Sequence, residues 1–152
     1  MDRTSNSTAD VARAVGITGL LGVGLIHRLD VVGKIQETPY IGWMYIALIL
    51  GSVAVAGALL VKPSRLAWGA AGALAASALG GFLLSRTTGL PNATGDIGNR
   101  SEPLGLASLF VETLLVALSG YALATVAAVR AIPQRRSGAG RSPRVLATDR
   151  AA

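Results

Sequence analysis

The chain has 152 residues, 51% hydrophobic and only 14% charged, with a mean hydropathy of +0.53 and a formal net charge of +6. A soluble domain carries about 25% charged residues and interrupts its apolar runs more often, so the composition is that of a one-domain integral membrane protein. The lack of cysteine excludes disulfides, thiolate chemistry and cysteine-held zinc or iron–sulfur centres.

Residues 1–10 form a polar N-terminal segment, and Ser7, Thr8 and Asp10 are candidate caps for a helix that begins near Val11. A first span of residues 11–30 reaches the roughly 20 residues that cross a bilayer core. Arg13 and the short apolar run behind it also fit a signal peptide, but GLIHRLD offers no small-x-small cleavage site, which favours an uncleaved helix. HRLDVVGKIQETP, residues 27–39, reads as a polar amphipathic connection ending at Pro39. The clearest span is residues 40–61, with Tyr40, Trp43 and Tyr45 at one end as an interfacial belt. Lys62, Pro63, Ser64 and Arg65 form a short basic turn that sets a third span, residues 66–84, antiparallel to the second. A polar stretch follows, then a fourth span over residues 104–129. Residues 130–152 are a basic tail whose Ser and Gly punctuation reads as disordered. The expected fold is all-α: a four-transmembrane-helix bundle with an ordered outward loop between helices 3 and 4.

An even number of spans puts both termini on one side. That side carries Arg3, Arg13, Lys62, Arg65 and the six arginines of the tail; the other carries Arg28, Lys34, Arg86 and Arg100. By the positive-inside rule the termini are cytoplasmic and residues 27–39 and 85–103 face outward. The excess of arginine over lysine, with abundant alanine and glycine, suggests a GC-rich bacterial genome and hence the bacterial plasma membrane. Small residues recur at helix-packing spacing: Gly16 and Gly24 in the first span, Gly51 in the second, and Gly72, Ala76 and Gly80 in the third. The competing reading is that they follow from the composition alone, and the same faces would serve self-association.

Residues that carry chemistry gather in the outward half. Glu112 lies about two turns into the fourth span on a stripe with Gly105, Ser108 and Ser119. An intramembrane carboxylate costs roughly 2.5 to 3.5 kcal/mol on insertion scales, so it should face the bundle and be paired or protonated. It is either a functional group or a structural partner, and Arg86 or His27 is the neighbour expected. Arg86 at the end of the third span has its own bland reading, an anchor that snorkels to lipid phosphate. His27 reads more readily as a hydrogen-bonded packing residue than as a ligand, and Glu37 equally as a solvated loop carboxylate. A mixed metal site of His27, Glu37 and Glu112 is chemically allowed but lacks diagnostic spacing. In the outward loop, TGDIGNRSE is rich in oxygen ligands without the spacing of a calcium loop. No nucleotide-binding, nucleophile-elbow or zinc-protease motif is present, and the sequence names no cofactor.

HRLDVVGKIQETPYIGW, SRTTGLP and EPLGLASLFVE together resemble a group of small four-span membrane proteins of high-GC Gram-positive bacteria. In that pattern a histidine closes the first span, glutamate and Pro-Tyr open the second, SRTxGLP closes the third, and a glutamate lies inside the fourth. His27, Glu37, Pro39, Tyr40, Ser85, Arg86, Thr87, Gly89, Leu90, Pro91 and Glu112 match; Arg100 departs from it, where an aromatic residue is expected. The resemblance implies the bundle and no activity.

Three classes of function fit. The first is an accessory or interaction subunit of a membrane complex. The second is a small-ligand, proton or metal binding or transport-like protein using His27, Glu37, Arg86 and Glu112. The third, a membrane enzyme, lacks a recognisable nucleophile–base set. The expected partners are the lipid bilayer, other membrane subunits or a second copy, and anionic lipid at the basic tail; the charge distribution argues against nucleic acid.

Overall fold

The computed structural model describes residues 3–99 and 101–131; Arg100 and the basic tail from residue 132 lie outside the described residues. Four helices follow in order: α1 (Arg3–Glu37), α2 (Pro39–Val61), α3 (Arg65–Thr87) and α4 (Pro103–Ala131). Each contains a segment long and apolar enough to cross a membrane, as expected of a multi-pass membrane protein. Their outward faces are apolar: Leu25, Leu29, Trp43, Leu50, Leu66, Phe110 and Leu114 are all exposed, a surface suited to a lipid bilayer.

α1 extends beyond its expected span at both ends. It is helical from Arg3, so Ser7, Thr8 and Asp10 lie within it and do not cap it, and it continues through HRLDVVGKIQE to Glu37. Residues 27–37 are therefore helix, and the connection to α2 is the single residue Thr38. Pro39 explains the stop. A residue before proline is pushed out of the α region, and Thr38 is extended at φ −148°, ψ 89°, while Pro39 takes the first turn of α2, where no N–H is needed. So sharp a reversal brings backbones together: a Cβ on Gly42 would stand 2.7 Å from Ile35 Cα.

α2 and α3 join at the opposite end through residues 62–64, where Ser64 Oγ accepts from Ala67 N at 3.2 Å as the N-cap of α3. Here α1 supplies a clasp. Arg13 Nε donates to Leu59 O at 2.7 Å, and its Nη2 donates to Leu60 O, satisfying carbonyls that the end of α2 leaves without helical partners.

α1 packs most extensively on α2, and α3 on α4. The apolar core occupies the half of the bundle nearer the termini, with Leu20, Leu59, Trp68, Ala71, Ala75 and Leu115 at its centre. Some of the expected close approaches are present. A Cβ on Gly16 would sit 2.8 Å from Trp68, one on Gly72 3.1 Å from Ser119 Cβ, and one on Gly51 3.2 Å from Leu74. Gly24 is an ordinary contact, 3.9 Å from Ser52 Cβ. The third-span stripe is misplaced by one residue, because Ala76 is exposed and a Cβ on Gly80 would meet nothing within 4 Å. The buried face of α3 runs instead through Trp68, Ala71, Gly72 and Ala75.

Candidate functional site

The polar groups collect at the end of the bundle opposite the termini. There α1 ends, α2 begins, and the connection between α3 and α4 folds over both. That connection is a run of turns with Gly89 at φ +77°, Asn92 at +57° and Gly98 at +79°. Three ties hold it down. Tyr40 donates to Pro91 O at 2.7 Å; Gly98 N donates to Arg86 O at 3.0 Å; and Asp96 is gripped by Lys34 at 3.3 Å and Arg86 at 2.9 Å. Burial raises the Asp96 carboxyl, but Lys34 and then Arg86 outweigh it, so the group is held below the usual carboxylate range. Lys34 also pairs with Glu37 at 3.1 Å. Arg86 is 9% exposed, pairs with Glu102 through Nη2, and lies over the Phe82 ring at 5.2 Å.

Beneath this ionic layer is a second polar group. Glu112 is 0% exposed on α4; Ser108, one turn earlier, donates to its Oε1 at 2.5 Å. His27 approaches from α1 with Nε2 3.9 Å from the same oxygen. His27 Nδ1 is 2.9 Å from Val23 O, and because a carbonyl can only accept, Nδ1 carries a proton and Nε2 is left facing the carboxyl. Tyr45 of α2 stacks edge-on against the imidazole at 4.7 Å. Among the described residues Glu112 Oε2 has no hydrogen-bond partner, nor do the buried hydroxyls of Ser52 and Ser119 deeper in the bundle.

Between the two layers is a cavity of about 160 Å³, walled by all four helices and the connection. Its apolar lining includes Met44, Leu48, Ala78, Phe82 and Leu104; its polar lining includes His27, Asp30, Tyr45 and Arg86. Leu74 packs against Gly51 where α2 and α3 lie close, but towards the connection a Cβ on Gly80 or Gly81 would meet nothing within 4 Å. The two helices part there, and the cavity lies between them with α1 and α4 behind.

The candidate residues thus separate. His27 and Glu112 come together, and Arg86 lies in the layer above, committed to Asp96 and Glu102 rather than to Glu112. Glu37 is on the outside, its side chain 66% exposed and paired with Lys34, so the trio His27, Glu37 and Glu112 does not converge. Among the described residues no three His, Asp or Glu side chains are grouped as metal ligands. The three rings at the start of α2 also divide: Trp43 faces outward, Tyr40 ties down the connection, and Tyr45 turns inward.

Asp30 and Lys34 were missed. Asp30 follows His27 by three residues and Lys34 follows Asp30 by four, so a helix continued past the apolar run would have placed all three on one stripe. Asp96 and Glu102 carry no such signal, because several loop carboxylates were equally available to Arg86. Comparison with protein-family models, curated proteins and solved structures found no match.

Proposed function

We propose that this chain is a ligand-binding protein of the bacterial plasma membrane, with cytoplasmic termini and the cavity in the outward half of the bundle. One observation supports the reading above all: a void with a mostly apolar wall and a few convergent polar groups, next to a buried histidine–glutamate pair. A cavity of about 150 Å³ in a protein core admits a molecule the size of benzene. The excess of arginine and lysine on the side of the termini supports the orientation, and the SRTTGLP and EPLGLASLFVE segments support kinship with small four-span proteins of high-GC Gram-positive bacteria. The arginines of the tail would add attraction to anionic lipid, about 1 kcal/mol for each one near the surface.

An enzyme is less well supported. Ser108 donates its hydroxyl hydrogen to Glu112 and not to His27, which is not the serine-to-histidine order that activates a nucleophile. An accessory subunit needs the packed helices and the shaped connection but no cavity. The two readings part in one experiment. The purified chain in lipid nanodiscs is titrated with benzyl alcohol while the methyl resonances of Met44 and Leu48 are followed, beside the variant Gly81→Phe. Saturable shifts that Gly81→Phe removes are expected. Unperturbed methyls, together with a protein that co-purifies stoichiometrically from native membrane, would overturn the reading in favour of the subunit.

A further inference from the structure

The charges on the cavity wall do not balance. Lys34 and Arg86 face three carboxylates, Asp30, Asp96 and Glu102, leaving one negative charge. Both cations are already engaged, Lys34 by Glu37 and Asp96, and Arg86 by Asp96 and Glu102. Asp30 is the exception: among the described residues no cation lies within 4 Å of its carboxylate, although Lys34 is one turn further along α1. With His27 neutral and Glu112 protonated, the buried pair adds nothing to this balance.

Resting on the ligand-binding reading, we infer that the cavity takes a small organic monocation, an ammonium group on an apolar or aromatic body, with Asp30 as its counter-ion. Charge selects the head group. An anion could reach the unpartnered Nε of Arg86 only against the net negative charge of Asp30, Asp96 and Glu102 on the same wall, whereas an ammonium meets Asp30, a wall carboxylate without an ion pair among the described residues. Shape selects the body: Met44, Tyr45, Leu48 and Phe82 share the cavity wall with Asp30, and the volume of about 160 Å³ is that of a single ring.

The test compares two probes that differ in charge and little else. Benzylammonium and benzyl alcohol are titrated at neutral pH into the full chain in phosphatidylcholine nanodiscs, with empty discs as the baseline for partitioning. The cation is expected to bind about tenfold tighter than the alcohol, as a hydrogen bond to a charged group provides. Asp30→Asn should bring the two together, and Asp30→Glu should keep the preference. Should Asp30→Asn not fold, Asp30→Ser is used in its place, and it too should bring the two affinities together. Equal binding of the two probes, or a preference that survives loss of the Asp30 carboxylate, overturns the monocation and leaves the ligand-binding reading standing. Binding of neither probe overturns both.

Discussion

His27 on α1 and Glu112 on α4 meet across the bundle with Nε2 3.9 Å from Oε1, and the second carboxyl oxygen has no hydrogen-bond partner among the described residues. The pair is buried in the polar half, where a lone carboxylate would be costly and a proton or a ligand donor would be welcome. Glu112→Gln keeps the shape and the acceptor for Ser108. Glu112→Ala leaves the Ser108 hydroxyl and His27 Nε2 unmatched in a cavity. Unfolding in mixed micelles, followed by circular dichroism, should place the alanine variant about 1–3 kcal/mol below the glutamine variant.

The glycines make a sharper comparison because they differ only in surroundings. A Cβ on Gly19 would stand 2.6 Å from Leu115 Cδ1, and one on Gly42 would meet the Ile35 backbone. At Gly80 the space is open. Gly42→Ala should be the most damaging, since backbone cannot swing aside, and Gly19→Ala intermediate, since a leucine tip can. Gly80→Ala should be neutral or stabilise by up to about 1 kcal/mol from helix propensity. Thermal melts of the three variants in one detergent give the order.

Asp96 fixes the connection to α1 and α3, and its carboxyl is held below the usual range. A carboxyl depressed in the folded state contributes stability above its unfolded value of 3.8, and that contribution drains away as pH falls through the folded value. The docked connection should therefore be unchanged from pH 7 to pH 5 and loosen below about pH 4. Amide exchange of Ile97 and Gly98 as a function of pH reports this. Asp96→Asn should show raised exchange at all pH values, with the helices intact.

Arg13 donates to the carbonyls of Leu59 and Leu60 at the end of α2. Arg13→Met retains the aliphatic stem and removes the donors. A loss of about 1–2 kcal/mol is expected, in the range of a charged group closing a helix C-terminus, and Arg13→Lys should recover only part of it. Denaturant titration of the three proteins measures the difference.

The helix count and the inward stripe of Glu112 were legible because both rest on local rules. Apolar length marks a span, and spacing by three, four and seven put Ser108, Glu112 and Ser119 on one face, where all three are buried. The continuation of α1 through residues 27–37 was not legible, because a polar composition is shared by a connection and by a helix whose inner face is itself polar. His27, Asp30 and Lys34 belong to the second kind. The partner of Arg86 was hidden for another reason: it depends on how the turns after Gly89 direct Asp96 and Glu102, which the spacing of those residues does not encode. Likewise Ala76 and Gly80 carry the same small-residue signal as Ala71 and Ala75, and only the rotation of α3 against its neighbours separates them.

The Arg13 clasp also sets the register of α1. Residue 13 is level with the end of α2, so the stretch from Arg3 to Ala12 carries α1 about 15 Å past that end at 1.5 Å per residue. The same unbroken helix carries His27 and Asp30 at its far end. One unbroken helix thus joins the clasp to the cavity wall: a one-residue shift of α1 at Arg13 would turn His27 and Asp30 by about 100° away from Glu112 and Tyr45.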